Sequence, residues 1–141
     1  MLSVQLGAII SISTGVVLAL LLARVVRLGK SPSDKSIALL FNNRVPYDDA
    51  AFYDKFYGKS DIPPDVPLRL RRLFERVFGD SMLRLEPSDN VFEFYNGVDP
   101  MDICRAIKRE FGLVAPIRAF AGTDWSFDAL VRCIVQNKSA S

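Results

Sequence analysis

The beginning of the chain is almost uniformly apolar, and residues 4–23 contain no charged side chain. A helix of about 20 apolar residues is long enough to cross the hydrocarbon core of a bilayer. Arg24, Arg27 and Lys30 follow directly, whereas no Lys or Arg precedes the stretch. By the positive-inside rule, this pattern predicts a single transmembrane helix with the rest of the chain in the cytoplasm. We therefore expect a single-pass protein of the inner membrane.

The alternative for this stretch is a secretory signal peptide, which has a charged beginning, a shorter apolar core and a small-residue cleavage site. Here only three residues precede the apolar stretch, and three cations follow it. That order favours an anchor that stays in the membrane.

Small residues recur at every fourth position of the predicted transmembrane helix. Such a stripe allows a second helix to approach closely, so it predicts packing against another copy or against a different membrane protein. Small residues are also common in membrane helices, and a simple anchor is the alternative. The positions are Gly7, Ser11, Gly15, Ala19 and Ala23.

After the anchor and basic flank of residues 1–30, apolar positions follow helical periodicity and no strand pattern is found. Residues 31–64 are predicted to be a linker that contains one short amphipathic helix, beginning at Asp48 or Asp49 and ending at Tyr57. The aromatic side chains of that helix, at positions 52, 53, 56 and 57, form i, i+4 pairs and are expected to face a core.

Residues 65–137 are predicted to form a small all-α bundle with a long loop after its first helix. That helix runs from about Pro67 to Phe78 and ends at Gly79. Its arginines are placed on the polar face, and its inward positions are Leu70, Leu73, Phe74 and Val77. Turn-forming residues then dominate the loop as far as Gly97.

Three further helical segments follow the loop. The second helix is predicted to begin with Asp99 as N-cap and Pro100 in its first turn, and to end at Phe111 and Gly112. A short piece, irregular or helical, covers residues 116–121. Ser126 caps a last helix that reaches about Gln136, and the final residues are expected to fray.

Charge and composition exclude several functions. The chain has 18 Lys and Arg residues and 16 Asp and Glu residues. The part beyond residue 30 has a formal charge of −1, so nucleic acid binding is not expected. Histidine is absent, and neither a paired-cysteine metal motif nor a glycine-rich phosphate loop occurs. Cys104 and Cys133 are expected to be reduced thiols, Cys104 as a small core residue and Cys133 as an inert residue near the edge of its helix. We therefore predict no metal, no catalytic residue and no enzymatic activity.

The order and spacing of these elements over residues 65–137 resemble those of an acyl carrier protein. The resemblance rests on the segments PSDNVFEFYNGVDPMDICRAIKREFGL and WSFDALVRCIV, in which Gly97, Asp99, Met101, the Glu-Phe-Gly at 110–112 and Ser126 match the family pattern. The preceding segment AFYDKFYGKSDIPPDVPLRLRRLF also resembles a bacterial acyl-carrier-like family of unknown function. The resemblance implies a four-helix carrier fold.

The same resemblance identifies two departures from a working carrier. Carriers attach phosphopantetheine to a serine at the head of the second helix, and Pro100 stands at that position without a hydroxyl group. Their second helix is acidic, whereas this one carries Arg105, Lys108 and Arg109, offset by two carboxylates. No phosphopantetheine is therefore expected. Ser81, in an Asp-Ser-Met triplet after the first helix, is the alternative attachment site.

These observations predict a membrane-anchored, non-catalytic, acyl-carrier-like interaction module. Its three cations on the second helix are expected to bind an acidic protein partner, and anionic lipid headgroups are a second possible ligand. Two alternatives stay open: a genuine carrier modified at Ser81, and an accessory subunit of a membrane complex held through the small-residue stripe.

Overall fold

The computed structural model describes residues 41–95, 97–114 and 118–139. Within these ranges the chain is helical, and its β pairing is limited to an isolated bridge between Asn90 and Ser126. The predicted all-α class is therefore confirmed for the described residues. The helices are α1 (Asp49–Phe56), α2 (Asp65–Phe78), α3 (Val91–Phe94), α4 (Pro100–Phe111), α5 (Arg118–Ala121) and α6 (Phe127–Ser139).

The predicted transmembrane segment, with its stripe Gly7, Ser11, Gly15, Ala19 and Ala23, lies outside the described residues. Among the residues that are described, no helix combines the length and the apolar character needed to cross a bilayer. The anchor stays a prediction from the sequence.

Helix α2 lies at the centre of the bundle and packs against α1, α4 and α6. Its side chains Leu70, Leu73 and Phe74 are buried, as the periodicity predicted. Val77 was expected to face inward as well, but 39% of it is exposed. It lies in the last turn of α2, beside the left-handed Gly79 that ends the helix at the edge of the core.

Most predicted helix ends agree with the structure. Asp48 caps α1, and Gly79 ends α2 with φ 74°. Helix α2 begins at Asp65, two residues before the predicted start. Helix α4 has the predicted bounds: the Asp99 carboxylate accepts a hydrogen bond from the Met101 amide, and Gly112 ends the helix with φ 64°.

Helix α6 continues to Ser139, so the prediction that it ends near Gln136 and then frays is wrong for the three residues that follow. Two side-chain contacts stabilise this last turn. The Asn137 amide donates to the Cys133 carbonyl at 2.7 Å, and the Lys138 ammonium lies 3.2 Å from the Asp65 carboxylate.

The long loop between α2 and α4 contains α3, a single helical turn that the sequence did not predict because four residues are too few to show a period. Asn90 caps α3 through its side chain. Two backbone hydrogen bonds attach this loop to the start of α6: the Phe127 amide donates to the Asp89 carbonyl, and the Asp128 amide donates to the Pro87 carbonyl. The loop is therefore an integral layer of the bundle.

Residues 41–64, which the sequence assigned to a linker, contribute to the same hydrophobic core as α2. Phe41, Phe52, Tyr57 and Ile62 are each less than a tenth exposed and belong to one cluster with the side chains of α2, α4 and α6. The folded unit therefore includes residues 41–64.

Arg71 is the largest departure from the predicted pattern of α2. It was placed on the polar face, yet only 2% of it is exposed. Its guanidinium donates to the Tyr47 carbonyl at 3.1 Å and to the Asp49 carboxylate at 2.6 Å, and it lies 4.6 Å from the centre of the Phe52 ring. Arg72 bonds the other oxygen of the same carboxylate. This arrangement holds α1 on α2.

Two tyrosines of α1 differ in how their hydroxyl groups are satisfied. Tyr53 donates to the Ile62 carbonyl at 2.7 Å. The Tyr57 hydroxyl is buried, and it makes no hydrogen bond of acceptable geometry with a described residue. Burial raises the pKa of the Tyr57 phenol, and the nearby Asp128 carboxylate raises it further.

We therefore expect opposite effects when each hydroxyl group is removed. Tyr57→Phe should raise the free energy of unfolding by about 1 kcal/mol, because a buried polar group without a partner costs roughly 1–3 kcal/mol. Tyr53→Phe should lower it by about 1 kcal/mol, the usual contribution of one hydrogen bond. Urea denaturation of the full chain, followed by Trp125 fluorescence, measures both. A loss of stability in Tyr57→Phe would show that its hydroxyl group has a partner in solution.

Candidate functional site: the exposed face of helix α4

Helix α4 has one buried and one exposed face. Ile103, Cys104, Ile107 and Phe111 are buried in the core. The predicted partner-binding residues Arg105, Lys108 and Arg109 all project from the exposed part of the helix. The Asp99 cap and Gly112 define the two ends of the helix, so the backbone positions of these three residues are fixed.

The three cations line one shallow groove of about 490 Å³, together with Gly112 and Leu113. We call this feature the basic groove. Two exposed apolar side chains lie close by in sequence: Met101, one turn before Arg105, is 41% exposed, and Val114, next to Leu113, is 79% exposed. The surface therefore combines positive charge with apolar area, a mixture suited to an acidic segment that also carries apolar side chains.

The carboxylates that were expected to offset these cations have different positions. Asp102 pairs with Arg105 at 2.7 Å, and both side chains are more than half exposed. Glu110 instead faces α2, where it pairs with Arg69 and Arg76. Glu110 therefore lowers the net charge of α4, but its carboxylate is engaged in a contact between helices.

Lys108 and Arg109 keep an unopposed charge. Neither forms an ion pair with any residue in the described ranges, whereas Arg44, Arg69, Arg71, Arg72, Arg76, Arg105, Arg132 and Lys138 each do. Both lie in the last turn of α4, where cations also interact favourably with the helix dipole. The helix dipole explains why cations occur at the end of α4. It does not neutralise their side chains, so both charges can still bind a ligand.

The residue that the sequence resemblance aligns with the attachment serine of carriers is exposed and has no hydroxyl group. Pro100 is the first residue of α4 and lies at the surface. Ser81, the alternative, lies in the turn after α2, where its hydroxyl oxygen accepts a weak hydrogen bond of 3.4 Å from the Leu83 amide. No helix in the described residues begins at Ser81. Ser126, in contrast, caps α6 by accepting from the Ala129 amide at 3.2 Å.

Both thiols lie in the core, so the prediction that Cys133 lies near the edge of its helix is wrong. Cys104 and Cys133 are both buried, and burial raises the pKa of each thiol. Cys133 also donates to the Ala119 carbonyl at 3.4 Å. A raised pKa keeps a thiol protonated and unreactive at neutral pH. Across the described ranges, no group of three or more His, Cys, Asp or Glu side chains is arranged to hold a metal ion.

The sequence named the three cations but missed the remainder of the groove. Gly112 was recognised as a helix end, and after its left-handed turn the chain continues as Leu113, which lines the groove, and the exposed Val114. The position of these two residues near the groove depends on the turn at Gly112. The run Gly-Leu-Val after a basic helix is the signal in the sequence that could have indicated it.

Comparison of the chain with known protein families, with curated proteins and with solved structures finds no match in any of the three.

Proposed function

We propose that this protein is a membrane-anchored, non-catalytic, acyl-carrier-like interaction module that docks an acidic segment of a protein partner at the cytoplasmic face of the membrane. The observation that carries the proposal is the basic groove, where Lys108 and Arg109 have no ion pair among the described residues and lie beside exposed apolar area. Anchoring raises the local concentration of both partners, so even a weak contact there becomes effective.

The absence of a carrier reaction is part of the proposal, because Pro100 has no hydroxyl group to form a phosphodiester. We expect the intact mass to be unchanged after co-expression with a promiscuous phosphopantetheinyl transferase, since Ser81 does not stand at a helix start. Mass spectrometry with peptide mapping measures this. An added pantetheine arm, on Ser81 or elsewhere, would make the protein a carrier and overturn the proposal.

The second alternative, an accessory subunit of a membrane complex, is compatible with the docking proposal.

The docking function is tested by charge reversal in the groove. A photo-crosslinking amino acid at Val114, introduced in the native cell, identifies the protein that occupies the surface. With that partner purified, Lys108→Glu/Arg109→Glu should weaken binding by at least tenfold, because two unpaired cations become anions facing an acidic segment. The dissociation constant is measured by titration at physiological ionic strength.

The matched control is Lys55→Glu/Lys59→Glu, which changes the net charge equally at exposed positions that neither line the groove nor form an ion pair with a described residue. Its affinity should stay within twofold of the native protein. Equal weakening by both pairs would show a non-specific charge effect, and unchanged binding of the groove variant would contradict the docking proposal.

A further inference from the structure

The segment that leads into the folded unit is bound tightly to the long loop. We call residues 41–47 the entry segment. The Arg44 guanidinium donates to both oxygens of the Asp89 carboxylate, at 2.6 and 3.0 Å, and only 5% of Asp89 is exposed. Arg84 Nε donates to the Arg44 carbonyl at 2.9 Å, and the Tyr47 amide donates to the Leu83 carbonyl at 2.7 Å. The entry segment therefore has a fixed position on the domain.

Two exposed apolar side chains lie on the segments that these bonds join. Val45 is 64% exposed and Leu83 is 40% exposed. Pro46 is also exposed, and Arg84 is half-buried with no ion pair to a described residue. We call Val45, Pro46, Leu83 and Arg84 the entry patch. Single exposed apolar residues are ordinary, but this group lies on two chain segments that hydrogen bonds join, and it includes a cation.

The sequence places the entry patch close to the predicted anchor. Residues 31–40 separate the last cation of the basic flank from Phe41, which is buried in the core. Ten residues span at most about 36 Å when fully extended. Because the entry segment is fixed to the loop, the chain reaches the domain beside the patch.

We infer that the entry patch rests on the lipid surface, with Val45 and Leu83 at the interface and Arg84 near anionic headgroups. The inference rests on the membrane attachment in the proposed function, but it is independent of docking at the basic groove. Amphipathic surfaces that combine apolar side chains with cations bind this way to the headgroup region. The patch thereby orients the domain at the membrane.

Fluorescence quenching by lipid tests the inference in the full chain. Val45→Cys and Val114→Cys place the same label at two exposed valines, one in the patch and one beside the basic groove. Cys104 and Cys133 do not compete for the label because they are buried and their thiol pKa values are raised. The protein is reconstituted in vesicles of phosphatidylcholine and phosphatidylglycerol at four to one, with and without a nitroxide-labelled lipid.

The expected result is quenching at position 45 that exceeds quenching at position 114 by at least threefold. Leu83→Cys provides a second label in the patch and should behave as position 45 does. Equal quenching at 45 and 114, or contact between two labelled copies at position 45 without lipid quenching, would overturn the inference.

Flotation of the same vesicles shows whether the chain is bound to lipid, and so distinguishes failure of the anchor from failure of the inference alone. If the chain does not float with the lipid, the inference and the anchor in the proposed function both fail. If it floats and position 114 alone is quenched, the inference fails and the basic groove is a lipid site, which contradicts docking of a protein there. If position 45 alone is quenched and Lys108→Glu/Arg109→Glu binds its partner normally, only the docking proposal fails.

Discussion

Asp89→Ala is expected to lower the free energy of unfolding by about 3 kcal/mol. The carboxylate is almost fully buried and accepts three hydrogen bonds, two from Arg44 and one of 2.7 Å from the Glu86 amide. Removing one member of a buried ion pair typically costs 3–5 kcal/mol, because the other charge loses its partner. The lower end applies here because a quarter of Arg44 is exposed, so water reaches its guanidinium. Urea denaturation of the full chain in mild detergent measures the change.

Asp102→Ala is the control for this substitution. It removes a carboxylate that also pairs with an arginine, but both side chains of that pair are more than half exposed. Exposed pairs contribute about 0–1 kcal/mol, so we expect a loss of about 0.5 kcal/mol. A similar loss in both variants would mean that the burial of Asp89 does not determine the strength of its interactions.

The loss of stability in Asp89→Ala should also be visible as a local change in hydrogen exchange. Arg44 would lose its bond to the long loop, so amide hydrogens of the entry segment should exchange faster than those of α2 and α6. Hydrogen exchange read by mass spectrometry separates this local release from global unfolding.

Arg71→Met is expected to lower the free energy of unfolding by about 2–3 kcal/mol, whereas Arg72→Met should lower it by about 0.5 kcal/mol. The two arginines bind the same carboxylate of Asp49, but the side chain of Arg71 is 2% exposed and that of Arg72 is 58% exposed. Loss of Arg71 leaves the Tyr47 carbonyl without its donor and removes the contact with the Phe52 ring. Loss of Arg72 removes a solvated contact only.

The pH dependence of the same pair gives an independent check. Burial alone would raise the pKa of Asp49, but hydrogen bonds from Arg72 and Arg71 outweigh it, and the pKa of the carboxyl lies below its usual value. A carboxyl whose pKa is lower in the folded state stabilises the fold above its unfolded pKa of about 4. That contribution is lost as the pH falls through the folded value.

The stability difference between the native chain and Arg71→Met should therefore be largest near pH 7 and become smaller below about pH 4. Urea midpoints measured from pH 7 to pH 3 test this. A difference that stays constant over that range would show that the packing of the Arg71 side chain, and not its charge, accounts for the loss.

Local rules of the sequence determined the helix ends. Gly79 and Gly112 end α2 and α4 because only a residue without a side chain adopts the left-handed conformation at low cost. Asp99 and Ser126 begin α4 and α6 because their side-chain oxygens accept hydrogen bonds from the free amides of the first turn. Each rule operates within a few residues, so the sequence alone contains the information.

The buried side chains of α4 were also predictable, because a 3.6-residue period places Ile103, Cys104 and Ile107 on one face. The same period placed Arg105, Lys108 and Arg109 outside that face. That these three cations form one groove with Gly112 and Leu113 depended on where the chain goes after α4. The direction of the chain after Gly112 is decided by how the following residues pack against the bundle.

Only the tertiary structure decided which charges are paired. Arg71 is buried because Tyr47, Asp49 and Phe52, about twenty residues away, supply its hydrogen bonds and ring contact. The Glu110 side chain faces α2, where its carboxylate pairs with Arg69 and Arg76. A sequence period shows which way a side chain points along its own helix. It does not show which distant residue will satisfy its charge, because that depends on how the helices pack.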